Sequence, residues 1–221
     1  MGKFMKRTIV YIDGYNLFFG LLKGTPWKWL DVVLLVKSML AADHEIVRVC
    51  FFTSIVTPYP YEPESIERQN VYLQALALDP RVRIVKGKYC RRKAHLPPVS
   101  RGCKDCEELH NGYVRVYKFE EKQSDVNLAV QAVHDAALNL ADSYVMVTGD
   151  SDQVGTILSM RKDFGKQVIV LNPHESNSLE LKMAATFYRN IPRDLPAKCQ
   201  LPDEIPVGTH GNVIRRPAAW K

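Results

Sequence analysis

The sequence predicts an α/β fold: a mostly parallel sheet covered by helices on both faces. Two observations carry this. Compact apolar runs alternate with stretches of helical periodicity, most regularly in the second half of the chain. The apolar runs are nearly continuous rather than alternating, as expected of strands buried on both faces. A third observation, acidic residues at the ends of two such runs and at the start of a helix, turns the fold into a functional question.

In chain order, residues 8–12 form a β-rich run ending at Asp13-Gly14. Residues 27–41 have helical spacing with Asp31 early in it. Residues 46–55 (IVRVCFFTSI) read as a buried strand with Cys50 as a small core residue. Residues 64–78 are helical and stop at Asp79-Pro80. Residues 82–85 form a third strand. Periodicity then fades over 86–112, a basic stretch read as an insertion, and 113–119 (YVRVYKF) alternates as a half-exposed strand. Residues 125–140 are a helix with Ser124 as the expected N-cap. A strand at 144–148, a helix at 152–164 closed by Gly165, a strand at 168–171 and a helix at 177–185 follow. These place one domain over residues 1–191 with its insertion at 86–112. Residues 192–221 are expected to be an extended, Pro-rich tail.

Composition bounds the function only loosely. The 221 residues are 46% apolar and 24% charged, ordinary for a globular chain, with a net charge of +6 that mildly favours a polyanionic partner. Five cysteines, an odd number, do not read as a secreted disulfide framework. The N-terminal MGKFMKRTIVYID lacks an apolar run of signal-peptide length, and no run approaches the roughly 20 residues of a membrane span. A cytoplasmic protein is expected.

The acidic segments are VYIDGYN with Asp13, EEKQSDVN with Asp125, and VMVTGDSD with Asp150 and Asp152. Each has a plain structural explanation: a strand-Asp-Gly turn, acids complementing a helix dipole, an N-cap. Taken together they repeat the same placement three times, at the sheet rim where α/β folds keep their ligand chemistry. Carboxylates gathered there repel one another unless a cation lies between them, and hard oxygen ligands suit Mg²⁺ or Mn²⁺. On this reading Asp13 and Asp150 are metal ligands, Asp125 binds directly or through water, Asp152 orients the attacking water, and Asn16 adds a neutral oxygen or a donor. The expected chemistry is phosphodiester hydrolysis.

The basic stretch carries a second constellation. Cys103 and Cys106 have metal-knuckle spacing. A structural zinc held by Cys90, Cys103, Cys106 and His110, with His95 competing, would staple the insertion; two reduced loop cysteines are the plain alternative. Arg91, Arg92 and Lys93 can hold phosphates, and Tyr89, Tyr113 and Tyr117 offer stacking surfaces. If the partner is RNA, a single-stranded or looped form is expected rather than a duplex, since nothing in the sequence resembles a groove-reading helix.

The order YIDGYN, EEK-x-x-DVNLA, VTGDSD and a Gly165-Lys-Gln-Val strand resembles the NYN domains, a branch of the PIN-like nucleases that includes LabA-like proteins. The resemblance spans residues 7–191. It implies a Rossmann-like, PIN-type three-layer sandwich and metal-dependent RNA cleavage, with Asp13, Asp125 and Asp150 as principal metal carboxylates and Asn16 and Asp152 beside them. Glu121 and Lys122 match the family's Glu-Lys pair, Lys122 on the substrate side. Gln123, where such domains often carry Gly, and Gln153, where an apolar or aromatic residue is commoner, depart from the pattern. Two other readings stand beside this one: an RNA-binding or regulatory protein with a weak site, and a phosphatase of another Rossmann-like class. The second is disfavoured because Asp13-Gly-Tyr lacks the second Asp of an early Asp-x-Asp pair.

Overall fold

The computed structural model describes residues 5–56, 64–97, 109–110, 113–208 and 211–220. The first strand, β1 (Lys6–Asp13), is buried from Thr8 to its end and leads into a one-turn helix, α1 (Gly14–Leu17), and a π-helical turn (Phe18–Leu22). Then come α2 (Val32–Met39), β2 (His44–Thr53), α3 (Ser65–Leu76) and β3 (Val82–Lys86). An arm follows, built from β4 (Lys88–Leu96), β5 (Leu109–His110) and β6 (Tyr113–Lys122). The second half runs α4 (Ser124–Ala137), β7 (Ser143–Val147), α5 (Val154–Lys162), β8 (Gln167–Asn172), α6 (Leu179–Ala184) and β9 (Phe187–Asn190). Last are α7 (Leu195–Lys198), the hairpin β10 (Glu204–Val207) and β11 (Asn212–Arg215), and a 3₁₀ turn at Ala218–Trp220.

Six strands form one parallel sheet in the order β3-β2-β1-β7-β8-β9. Successive side chains of its central strands go to opposite layers. Val10 and Ile12 pack with α2 and α3; Ile9 and Tyr11 pack with α4, α5 and α6. Both faces are covered, as the continuous apolar runs require. The strand order reverses between β1 and β7, leaving a crevice outside their carboxyl ends. Asp13 closes β1 and residues 148–150 follow β7, so the topology alone brings two of the three acidic segments to one place. The architecture is the expected PIN-like, Rossmann-type sandwich. Among the described residues no helix is long and apolar enough to cross a membrane.

Three expectations are corrected. The first helix is shorter: Asp31 caps α2 through Leu34 N at 2.8 Å, and the apolar Trp29 and Leu30 before it are buried in an irregular segment. The insertion is in part a regular arm, because β4 pairs antiparallel with β6 from Lys88↔Lys122 to Leu96↔Val114. Its alternation was hidden because both of its faces carry polar or basic residues. The third correction concerns residues 192–221, whose described part is folded rather than extended. Leu201 N donates to Trp29 O at 2.9 Å, Trp29 Nε1 to Pro202 O at 2.8 Å and Arg216 Nη2 to Pro26 O at 3.0 Å. Trp220 packs against Trp29 and Tyr72. The segment repeats no pattern of its own; it completes one made by residues far upstream.

Ser124 is the first residue of α4 rather than its cap. The preceding Gln123 takes a left-handed conformation at φ 81° and makes no side-chain capping bond. That conformation costs a non-glycine residue roughly 1–2 kcal/mol, part of which glycine's greater unfolded-state entropy offsets. Gln123→Gly is therefore expected to stabilise the protein by about 0.5–1 kcal/mol, measured as a rise in the urea midpoint with unchanged slope.

Candidate metal centre

Two of the three acids are held by local backbone chemistry, and the third is placed by its helix. Asp13 caps α1, its Oδ1 accepting from Asn16 N at 2.9 Å, while its Oδ2 accepts from Thr148 Oγ1 at 3.3 Å. Asp150 caps the 3₁₀ turn Ser151–Gln153 by accepting from Asp152 N at 3.0 Å. Asp125 lies in the first turn of α4. Capping thus operates in two of the three segments, through Asp13 rather than a plain turn and through Asp150 rather than Ser151 or Asp152. The three carboxylates nevertheless converge: one oxygen each from Asp13, Asp125 and Asp150 lie within 4.8 Å of one another.

The backbone around the crevice is closely fitted. A Cβ on Gly14 would lie 2.6 Å from Phe52 O, and one on Gly149 2.4 Å from Asn172 Oδ1. Asn16 is committed to this fit. Its Oδ1 accepts from Gly149 N at 2.7 Å and lies 2.9 Å from His174 Nε2. Asn16 therefore ties α1 to the loop after β7, and these contacts engage the oxygen that was expected as a neutral ligand, the other expected role being that of a donor. With that oxygen an acceptor, His174 carries its proton on Nε2.

The carboxylates meet in an open cleft of about 200 Å³ whose lining also includes Tyr15, Phe19, Glu121 and His174. No Lys or Arg is among its described lining residues. Burial pushes the Asp13 carboxyl up to about 7, against the Asn16 amide, with the charges of Asp125, Glu121 and Asp150 adding to the rise. Burial also raises Asp125, helped by Asp150 and then Asp152, and raises Glu121, helped by Asp125. The cleft is an uncompensated cluster of acids. Its all-oxygen donors, their spacing and the missing counter-charge fit a hard divalent cation such as Mg²⁺ or Mn²⁺.

The remaining expected residues divide. Asp152 is exposed and does not line the cleft; its charge acts on Asp125. Lys122 points to the arm's other face and lies 3.5 Å from Glu120. Arg92 is on that face too, 2.8 Å from Glu120, which its Lys118, Arg92 and Lys122 neighbours draw down to about 2. Arg91 and Lys93 instead share the face of Tyr89 and Glu121, by the pairing Tyr89↔Glu121, Arg91↔Phe119 and Lys93↔Tyr117. Cys90 is half-buried on the other face, whereas Cys103 and Cys106 lie outside the described residues, as does the side chain of His110. The zinc expectation falls there with them.

Sequence reasoning did not single out His174, and it left Glu121 without a role. His174 follows a strand end, as Asp13 and Asp150 do, and that position was its available signal. Glu121 could have been placed from the YVRVYKF alternation, which continues to put it on one face with Phe119 and Tyr117.

Comparison with known proteins gives the family. The NYN domain family model matches residues 7–191. The chain belongs to the NYN domain family. It is 32% identical, over 97% of its length and 75% of the relative's, to the 6-hydroxy-3-succinoylpyridine 3-monooxygenase HspA of Pseudomonas putida. Among solved structures it resembles a protein of unknown function from Vibrio parahaemolyticus, with a TM-score of 0.51, 13% identity, and coverage of 91% of this chain and 99% of that one. That likeness is one of fold.

The raised carboxyls give the metal-free NYN protein a defined pH dependence. Below about pH 4 Asp13 is protonated whether the chain is folded or not. Between pH 4 and 7 the unfolded chain releases the proton that the folded one keeps, so stability falls as pH rises. Above about 7 the loss is complete, on the order of 4 kcal/mol, and Asp125 and Glu121 act in the same direction. In EDTA the melting temperature is expected to rise on Asp13→Asn at pH 8 and to change little at pH 4. Calorimetric melts across that range check this; an equal effect at both ends would contradict it.

Proposed function

We propose that this protein is a divalent-metal-dependent ribonuclease that hydrolyses RNA phosphodiester bonds. The observation that carries the reading is the convergence of Asp13, Asp125 and Asp150 with no cation of the protein's own lining their cleft among the described residues. Membership of the NYN family supports it.

Asp13, Asp125 and Asp150 would hold Mg²⁺ or Mn²⁺, which when bound supplies an acidified water and offsets charge developing on the phosphate. The protein's residues do the rest. Asp13 and Asp150 are fixed before substrate arrives by the Asn16 and Asp152 amides. Glu121, half-buried and with its proton affinity raised, is placed to take the proton of the attacking water. His174, locked to Asn16, keeps the loop after β8 against the loop after β7. Asp152 acts on the site through its field and its backbone amide, a smaller part than orienting the water.

The arm provides a path for a single-stranded or looped RNA. Tyr89, Arg91, Lys93 and Tyr117 share the face that continues from Glu121, and Arg91 lies 5.1 Å from the Tyr117 ring centre. Cations interleaved with rings suit a flexible strand, which offers phosphates and unstacked bases together. Arg92 and Lys122, engaged by Glu120 on the opposite face, leave this path.

Cleavage of a labelled single-stranded RNA pool with Mn²⁺ or Mg²⁺ tests the proposal. Activity is expected to vanish in EDTA and to fall about 100-fold or more in Asp150→Asn, since even residues behind a metal ligand commonly cost 10–100-fold. Cleavage that survives both would overturn it. RNA binding without turnover would favour the RNA-binding reading instead. A second reading, action on a small heteroaromatic molecule, is favoured by the name of the Pseudomonas putida relative, and the cavity described next bears on it.

A further inference from the structure

Beside the acidic cleft lies a second, larger cavity of about 630 Å³. Aromatic side chains dominate its wall: Tyr15, Phe18, Phe19, Tyr72, Tyr89 and Trp220. Tyr15 and Phe19 line both spaces, so the cavity is one side chain away from the carboxylates. The rings near that border are already arranged in parallel layers. Tyr15 stacks on Tyr89 at 6.1 Å and 12°, and on Phe19 at 6.3 Å and 26°.

Three features say what the cavity suits. Its volume is that of a small-molecule site rather than a packing defect. Phe19 is 55% exposed at the border, so aromatic surface is open to solvent there, which a flat ring would cover. At the rim are Lys23, Lys28 and Arg68. Lys23 lies 5.0 Å from the Phe19 ring centre, and neither Lys23 nor Lys28 has an ion-pair partner among the described residues. The Gln69 amide, by contrast, is already used: its Oε1 accepts from Val56 N and its Nε2 donates to Ser54 O, both at 2.9 Å. The wall therefore offers stacking surface and positive charge.

We propose that this cavity binds a planar heteroaromatic ring bearing a negatively charged substituent, the ring between the aromatic walls and the charge at Lys23 and Lys28. Two sources share that chemistry: a nucleotide, as a unit of a nucleic-acid strand, and a free heteroaromatic acid. The cavity's residues are distinct from the three carboxylates, so the proposal does not rest on the ribonuclease reading.

Isothermal titration of the full-length protein in EDTA tests it, with uridine 5′-monophosphate and 6-hydroxypyridine-3-carboxylate as probes and uridine and 6-hydroxypyridine-3-carboxamide as their neutral counterparts. At least one anionic probe is expected to bind saturably, at least tenfold more tightly than its neutral counterpart. Phe19→Ala, at an exposed position, and Val56→Trp, which fills the cavity, are each expected to weaken it at least tenfold, whereas Asp150→Asn leaves it in place. Lys23→Ala with Lys28→Ala is expected to remove the preference for the anion. The probe that binds identifies the source. Absence of saturable binding by both acids, or binding that the cavity variants leave unchanged while their melts remain cooperative, overturns the proposal. Because no metal and no cleavage enter the assay, its failure leaves the ribonuclease reading standing, and a failed cleavage assay leaves this one.

Discussion

Mutual repulsion of three carboxylates at the crevice between β1 and β7 is the constraint around which this structure is organised. Their oxygens lie within 4.8 Å of one another, and no Lys or Arg is among the described residues of the cleft. Such a cluster must be held by something stronger than itself. Here that is the sheet, whose strand order delivers Asp13 and Asp150 to the same edge, and a set of polar contacts fixing those two acids. Gly14 and Gly149, where a Cβ would collide with neighbouring groups, let the loops come this close. A folded protein that tolerates such an arrangement sacrifices stability at neutral pH for a site ready to bind positive charge.

The sheet and its acids were legible because they follow from local rules. Runs such as TIVYI and SYVMV can be buried on both faces only in a covered parallel sheet, and acids directly after them must lie at its rim. What could not be read depends on partners distant in sequence. Trp220 is an isolated aromatic until Trp29 and Tyr72 are seen beside it, so residues 192–221 looked extended. The strand Lys88–Leu96 has no apolar face of its own and becomes a strand through β6. Asn16 was recognised as belonging to the site, but its bond to Gly149 N, which makes it a brace, spans most of the domain. Gln123 was visible as a departure, and its φ of 81° supplies the reason that glycine is at home there.

The fold by itself does not choose a substrate. Family membership gives a nuclease-type fold with an acidic cleft, while a relative of 32% identity carries the name of a pyridine-ring monooxygenase. The structure offers a physical meeting point for these facts. The acidic cleft and an aromatic, basic-rimmed cavity share the walls Tyr15 and Phe19. A nucleotide and a substituted heteroaromatic acid both present a flat ring and a negative charge.

The central claim is that Asp13, Asp125 and Asp150 form one cation site, and calorimetric titration of Mn²⁺ into the metal-free protein tests it most directly. The account predicts saturable binding that tightens as pH rises through about 7, as the Asp13 proton is displaced, and that is lost in Asp13→Asn, Asp125→Asn and Asp150→Asn alike. Binding of undiminished affinity in those variants, or none in the wild-type protein at pH 8, would contradict it.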